Sequence, residues 1–98
     1  MDINNLMRQA QAMQRQLEET TKRLNAMQFE GSASNDLVKV VVTGEYKIVS
    51  VKIDPEIVNK EDTEMIEDMI VIAMNDAVAK IDQSKKDSLG PMASMLGI

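Results

Sequence analysis

A seven-residue repeat of mainly apolar residues runs through the first quarter of the chain. Its positions, separated alternately by three and four residues, are Ile3, Leu6, Ala10, Met13, Leu17, Thr20, Leu24 and Met27. This spacing places them along one side of an α-helix, where they can pack lengthwise against another helix. The repeat predicts a helix over residues 3–27. Such a helix is roughly 37 Å long, more than the core of a small domain needs, so we expect it to project.

Length and composition restrict the classes of function. The 98 residues predict one domain, 1–98, and they include neither cysteine nor histidine. The chain therefore lacks a thiolate nucleophile, the commonest general base and the commonest transition-metal ligand. We expect no enzymatic activity, no cofactor, no metal site and no small-molecule substrate. No stretch approaches the ~20 apolar residues of a membrane span, and we expect a cytoplasmic protein.

Acidic pairs are the weakest candidates for a site. Glu67 with Asp68, or Asp76 with Asp82, supply carboxylates, but paired acids on a helix usually form a solvated face. Asn75 and Asp76 directly follow an apolar run, so they favour a structural hydrogen-bonding or capping role over contact with a ligand.

The middle of the chain predicts a small antiparallel sheet. β-Branched residues and turn signals predict strands over residues 28–31, 37–43 and 46–53. Gly44 and Glu45 stand where a two-residue hairpin turn fits. That turn places Val40 opposite Val49 and, on the same face, Val38 opposite Val51.

A second long helix is predicted over residues 60–87, with Asn59 as its N-cap. From Met69 to Met74 it is apolar nearly all round, and a helix of that kind is buried on more than one side. One small sheet cannot cover both sides, which predicts a homodimer. The predicted interface residues are Met69, Ile70 and Met74. A short apolar tail, 91–98, follows.

Basic residues recur on the first helix at Arg8, Arg15 and Lys22, seven positions apart, and Arg23 widens the row. One interpretation is the solvated flank of a coiled coil. The other is a row of phosphate contacts, helped by Lys85 and Lys86 near the end of the second helix. Phe29 and Tyr46 are the only aromatic residues, which speaks against stacking on single strands.

Several segments together resemble the YbaB/EbfC family of bacterial nucleoid-associated proteins. They occur in the family's order and spacing across roughly residues 3–87. The carrying segments are Asn5-Leu6-Met7-Arg8-Gln9-Ala10-Gln11-Ala12-Met13-Gln14, Leu37-Val38-Lys39-Val40 with Gly44, Ile53-Asp54-Pro55, Glu64-Met65-Ile66-Glu67-Asp68-Met69 and Asn75-Asp76-Ala77.

The resemblance implies an α+β fold with a long N-terminal helix, a small antiparallel sheet and a second long helix. It implies a tweezer-like homodimer that binds double-stranded DNA and acts in nucleoid organisation and gene regulation, located in the nucleoid. The basic residues named above are then the expected DNA contacts. The net charge of -5 keeps an alternative open, a dimeric interaction module whose helical arms clasp a protein partner. In that alternative, DNA binding is weak or incidental.

Overall fold

The structure, a computed structural model, describes residues 2–58 and 61–90. The main elements are α1 (Ile3–Ala26), β1 (Gln28–Ala33), β2 (Val38–Thr43), β3 (Ile48–Ile53) and α2 (Thr63–Leu89), with a short 3-10 helix at Pro55–Ile57. Two long helices and one antiparallel sheet confirm the predicted α+β class. The predicted tail, 91–98, and the predicted N-cap Asn59 lie outside the described residues.

Aspartate side chains begin both long helices. The Asp2 carboxylate accepts hydrogen bonds from the backbone N–H groups of Asn4 and Asn5, which α1 leaves without partners inside the helix. Asp62 does the same for Met65, so α2 begins at Thr63, three residues after the predicted start. It ends at Leu89, two residues after the predicted end, and this last residue is buried.

The sheet has the order β1-β2-β3, with β2 in the centre and both neighbours antiparallel to it. β1 extends two residues beyond its predicted end, because Ser32 and Ala33 continue the pairing with β2. The connection to β2 then turns through Ser34, Asn35 and Asp36, all of which adopt positive φ.

The predicted register between β2 and β3 is wrong by two residues. Val40 lies opposite Val51 rather than Val49, and Val38 lies opposite Ile53 rather than Val51. A two-residue slip preserves the alternation of faces along a strand. For that reason Val38 and Val40 are still directed into the core.

Two local irregularities each contribute one residue to this slip. The Thr43 N–H donates to the Lys47 carbonyl, so the hairpin loop has three residues instead of two. Its last residue, Tyr46, has φ 67°, the left-handed conformation common at the end of such loops. The second irregularity is a bulge in which Val49 is an extra residue between the paired Ile48 and Ser50.

The core lies between α2 and the first two strands. Alternate β2 residues, Val38, Val40 and Val42, are buried. Opposite them, four α2 residues at four-residue spacing complete the core, namely Met69, Ala73, Ala77 and Ile81. The helix therefore covers β1 and β2, whereas every residue of β3 keeps exposed or half-buried side-chain surface.

Small residues allow α2 to touch the sheet backbone. A Cβ atom on Gly31 of β1 would lie 2.0 Å from the Ala73 carbonyl oxygen and 2.6 Å from the Ala77 backbone nitrogen. Ala73 and Ala77 are themselves fully buried. No side chain fits at position 31 without moving α2 away from the sheet.

A second glycine anchors α1 to the hairpin loop. A Cβ atom on Gly44 would lie 1.8 Å from the Leu24 carbonyl oxygen, and the Gly44 N–H donates to the Met27 carbonyl at 2.9 Å. Leu24 is buried against Leu89, with Leu17 packed beside them. The C-terminal third of α1 is thus fixed both to the hairpin and to the end of α2.

The molecule is much longer than a compact chain of its size. Its radius of gyration is 19.2 Å and its principal dimensions are 72 × 19 × 17 Å, whereas a compact domain of this length has a radius of gyration of about 13 Å. The excess length comes from α1, whose residues 3–16 are all exposed. The prediction of a projecting first helix is confirmed.

Two side chains of α2 form hydrogen bonds with the backbone of β1 at its free edge. At the β1 edge, the Asp76 carboxylate accepts from the Ser32 N–H at 3.0 Å, and the Lys80 ammonium donates to the Glu30 carbonyl at 2.9 Å. The hydrogen bond from Ser32, followed by that from Lys80, lowers the pKa of the Asp76 carboxyl. The structural role predicted for this acidic position is confirmed.

Candidate nucleic-acid interface

The predicted basic row lies on α1, the projecting helix that we call the arm. Arg8, Arg15 and Lys22 are all exposed, and helix geometry separates neighbours in the row by about 10 Å. They share the face of α1 that is opposite the apolar repeat, and Arg23 extends it sideways near the base of the arm. Within residues 2–58 and 61–90, none of these four side chains forms an ion pair. Their charges are therefore directed to solvent.

The opposite face of the same arm is apolar. We use the name apolar stripe for Ile3, Leu6, Ala10 and Met13. Their exposure is high for apolar residues, with 69 % for Ile3, 48 % for Leu6 and 58 % for Met13. The arm accordingly presents two different surfaces, one cationic and one hydrophobic.

The two lysines predicted near the end of α2 differ in their surroundings. The ammonium of Lys85 lies 4.2 Å from the centre of the Tyr46 ring, a cation–π contact, and the side chain is half-buried. Lys86 is exposed in the last turn of α2. Because Leu89 packs on Leu17, both lysines belong to the end of α2 that lies beside the base of the arm.

The cluster around Tyr46 was not predicted from the sequence. The Tyr46 hydroxyl donates to the Asp82 carboxylate, which lies 36 positions away along the chain. This hydrogen bond, together with partial burial and the charge of Asp82, raises the pKa of the tyrosine hydroxyl. The cluster ties the hairpin loop to α2, and the Tyr46 ring contacts the Lys85 ammonium.

Acidic residues are concentrated in the first half of α2, and α1 itself carries Glu18 and Glu19, both exposed, beside the basic row. The first half of α2 carries Glu64, Glu67 and Asp68, all exposed, and the first basic residue in this helix is Lys80. α1 thus carries four basic residues against two acidic ones, an excess of two positive charges, whereas the first half of α2 carries acidic residues only. Local fields, more than the total charge, determine where an anion binds, so the acidic total charge does not by itself exclude anion binding at α1.

The predicted dimer-interface residues are only partly accessible. Met69 is 7 % exposed, since it packs in the core of its own chain, and Ile70 and Met74 are half-buried. More exposed apolar residues of α2 are Val71 (57 %), Ile72 (56 %) and Val78 (37 %).

Sequence reasoning missed a second apolar surface, on β3. Ile48, Val49 and Val51 are 53 %, 51 % and 45 % exposed. Ile48 and Val51 lie opposite Val42 and Val40 and so share the sheet face on which α2 packs. The signal was present in the sequence as a run of β-branched residues. The sequence did not show where α2 packs, and that position leaves this strand uncovered.

Neither metal clusters nor membrane-spanning helices occur in the parts of the chain that the structure describes. In residues 2–58 and 61–90, no group of three or more acidic side chains has the proximity to hold a metal ion. Over the same residues, no helix combines the length and hydropathy of a transmembrane segment.

A row of Lys and Arg along one helix face is one sign of a nucleic-acid-binding protein, because such side chains can neutralise backbone phosphates. The sequence model of the YbaB/EbfC DNA-binding family matches residues 1–96, and the chain belongs to this family. The resemblance found in the sequence is thereby confirmed.

Two relatives from Streptococcus pneumoniae, strains Hungary19A-6 and TIGR4, are each named nucleoid-associated protein. Both are 44 % identical over 96 residues, which cover 98 % of this chain and 97 % of theirs. The crystal structure of the uncharacterized protein HP0035 from Helicobacter pylori has a similar fold. It has a TM-score of 0.76 at 20 % identity, covering 94 % of this chain and 97 % of the other.

Proposed function

We propose that the protein binds double-stranded DNA as a homodimer, mainly through phosphate contacts, and acts in nucleoid organisation and gene regulation. The observation that carries this proposal is the exposed basic row on α1, whose cations have no ion-pair partners among the described residues. The proposed contacts are Arg8, Arg15, Lys22, Arg23, Lys85 and Lys86. The relatives' name, nucleoid-associated protein, agrees with this assignment.

Phosphate contact is the mode of binding that these side chains favour. Arginine and lysine neutralise backbone charge without reading base identity. Stacking on unpaired bases needs exposed aromatic rings. Phe29 is half-buried against the core, and the ring of Tyr46 already contacts Lys85. We therefore expect little sequence dependence.

The dimer in this proposal uses β3 and the neighbouring flank of α2. Asp76 and Lys80 reach the β1 edge, so the other flank of the helix, with Ile70 and Met74, is on the side of β3. Ile70 and Met74 are therefore the α2 residues nearest to the apolar β3 side chains, and Val71 and Val78 lie further around the helix, towards solvent. An apolar edge strand without cover is a surface that proteins normally protect, and a second copy of the chain supplies that protection.

The alternative function is a dimeric module whose arms clasp a protein partner. The exposed apolar stripe on α1 favours this alternative, because a hydrophobic helix face is a common surface for binding a partner helix. The net charge of -5 favours it as well. The response of DNA affinity to salt separates the two functions.

The test replaces Arg8 and Arg15 by glutamine and measures duplex affinity at several salt concentrations. Each phosphate neutralised contributes about 0.9 to the slope of log affinity against log salt. A dimer loses four cations, so we expect the slope to flatten by about 3–4. The weakening should be similar on duplexes of different sequence, because phosphate contacts carry no base information.

The matched control replaces Lys47 and Lys52 by glutamine. These exposed residues lie directly before β3 and on β3 rather than on the arm, and their loss changes the total charge equally. We expect the control to change the slope by less than about 1. If the arm variant keeps the affinity and slope of the unaltered protein, the basic row is a solvated face and the protein-clasping alternative is favoured.

A further inference from the structure

The hairpin loop between β2 and β3 contacts both long helices. On one side, Gly44 lies against the Leu24 carbonyl of α1, and its N–H donates to the Met27 carbonyl. On the other side, the Tyr46 hydroxyl donates to the Asp82 carboxylate of α2. The loop therefore links the base of the arm to the second helix.

α1 is attached to the rest of the described chain mainly at its base. Leu24 is the only residue of α1 that the described chain buries, and it packs on Leu89 at the end of α2. The arm thus rests on two supports, the hairpin loop and the end of α2. Because the direction of α1 depends on how these supports lie relative to each other, contacts between the loop and α2 bear on that direction.

Tyr46 has a backbone conformation that residues with a side chain rarely adopt. Its φ is 67°, in the left-handed region, which is unfavourable for a bulky residue because the Cβ atom crowds the backbone. A residue in such a conformation persists where surrounding contacts compensate for the strain. Glycine would fit this loop position without strain. What the tyrosine supplies in its place is the side chain.

Two contacts join the side chain of Tyr46 to α2. Its hydroxyl donates to Asp82, and the Lys85 ammonium lies 4.2 Å from the centre of its ring. The hydrogen bond to Asp82, together with partial burial and the negative charge, raises the pKa of the tyrosine hydroxyl. The hydroxyl therefore keeps the proton that it donates. Residues three positions apart are neighbours on a helix surface, so both contacts belong to one patch of α2.

Hydrogen bonds within the loop couple Tyr46 to Gly44. The Tyr46 N–H donates to the Thr43 carbonyl at 2.9 Å, and the Lys47 N–H donates to the Thr43 hydroxyl at 3.1 Å. The Thr43 N–H donates in return to the Lys47 carbonyl at 2.8 Å. A three-residue loop closed in this way has little conformational freedom. Attachment of Tyr46 to α2 therefore also places Gly44, against which α1 lies.

We propose that Tyr46 is a positioning residue for the arm, because its contacts with Asp82 and Lys85 fix the hairpin loop to α2 and thereby set the direction of α1. This inference rests on the proposed function, since the helix that Tyr46 orients carries the basic row. Tyr46 acts through α1 and not by contact with DNA. It keeps the row in the orientation in which a duplex binds, which lowers the entropy lost on binding.

Distances between two spin labels on one chain measure the direction of the arm without DNA. The absence of native cysteine allows labels at Gln9→Cys on the arm and Glu67→Cys on α2, both exposed positions. An excess of unlabelled protein ensures that the measured pairs lie within one chain. Tyr46→Gly removes both side-chain contacts and relieves the left-handed backbone. We expect it to make the distribution of distances at least about twice as wide.

Glu45→Gly is the matched control for this variant. It places glycine in the same loop and leaves Tyr46 unchanged, and the ion pair that it removes, with Lys47, is exposed to solvent. We expect the width of the distribution to stay as in the unaltered protein. If Tyr46→Gly gives a distribution no wider than that of Glu45→Gly, Tyr46 does not orient the arm and the proposal is wrong.

Two substitutions of Asp82 separate the hydrogen bond from the size of the side chain. Asparagine keeps an oxygen that accepts from the tyrosine hydroxyl, whereas leucine has a similar shape and no acceptor. We expect Asp82→Asn to keep the narrow distribution and Asp82→Leu to widen it. Equal widths for these two variants contradict the proposal, because the hydrogen bond then does not set the direction of the arm.

Duplex binding distinguishes a failure of this inference from a failure of the proposed function. An arm that has the binding direction about a fifth of the time binds about fivefold more weakly. Tyr46→Gly should therefore lower the affinity about fivefold and change the salt slope by less than about 1, because it removes no cation. Unchanged affinity together with a widened distribution overturns the positioning role. If the unaltered protein does not bind duplex DNA, the proposed function is wrong, and the spin labels still decide whether Tyr46 orients the arm.

Discussion

At the β1 edge of the sheet, Asp76 and Lys80 of α2 occupy backbone groups that an edge strand leaves unpaired. At the β3 edge, Ile48, Val49 and Val51 remain about half exposed. One helix is too narrow to cover three strands, so its position decides which edge is closed. The backbone groups of the closed β1 edge have hydrogen-bond partners within the chain. The apolar residues of the open β3 edge, according to our proposal, are covered by a second copy.

The closed side should be the more sensitive to substitution. Replacing Gly31 by valine puts a side chain where the α2 backbone lies, within 2.0 Å of the Ala73 carbonyl oxygen for its Cβ alone. Overpacking a core typically costs about 1–3 kcal/mol, and here the obstacle is backbone. We expect the free energy of unfolding, measured with urea, to fall by at least about 3 kcal/mol.

Ser32→Val is the control for this effect. The neighbouring position is directed to the opposite face of β1, away from α2. We expect the free energy of unfolding to change by no more than about 0.5 kcal/mol. Similar stability of the two variants would show that α2 does not press on the strand in solution.

The open side should respond through association. A lysine in place of Val51 puts a charge into the proposed dimer interface, and symmetry makes the change twice. We expect the dimer dissociation constant to rise about a hundredfold, or about 2.7 kcal/mol, as measured by sedimentation. The chain should stay folded, because Val51 is 45 % exposed in the protomer.

Ser50→Lys adds the same charge to the other face of β3, where Ser50 lies opposite Val41. We expect this variant to keep a dissociation constant within a few fold of the unaltered value. Equal association of the Val51→Lys and Ser50→Lys variants removes the α2-facing side of β3 from the interface and leaves α2 alone as the candidate.

The smallest effect concerns the acid sensitivity of the closed edge. The pKa of Asp76 is lowered from its ordinary value of 3.8 in the folded chain. Its ionised form therefore stabilises the fold above that ordinary value, and the contribution is lost as the pH falls through the lowered value. We expect Asp76→Asn to reduce the fall in unfolding free energy between about pH 5 and pH 2.

Urea unfolding at several pH values measures this difference, and Glu67→Gln on the exposed face of the same helix is the control. The control should lose stability in acid as the unaltered protein does. An Asp76→Asn variant with an unchanged pH profile would mean that the contact with Ser32 does not depend on the carboxylate charge.

Local signals account for the parts of the fold that the sequence predicted well. The apolar repeat predicted α1 to within one residue of its observed end, because such a repeat depends only on neighbours along the chain. The hairpin register was missed because a third loop residue and the extra Val49 leave no local signature. Long-range packing, such as Gly31 under α2, was equally hidden.

For the candidate site too, local sequence signals predicted some features and long-range packing determined the others. The exposure of the row at Arg8, Arg15 and Lys22 follows from their seven-residue spacing on a projecting helix, and DNA contact by this row stays a prediction. The pairing of Lys85 with Tyr46 could not be predicted, because 39 positions separate them and the loop conformation brings them together. The apolar β3 surface required knowledge of where α2 lies.

The close backbone contact between α1 and Gly44 has a mechanical consequence. With the Leu24 carbonyl against that glycine, the arm is a lever about 36 Å long with its pivot at the hairpin. A rotation of about 10° at the pivot moves the far tip by about 6 Å over that length, nearly twice the rise between neighbouring base pairs. In the proposed dimer, the gap between the two levers would therefore depend on the fit at Gly44 together with the packing of Leu24 on Leu89.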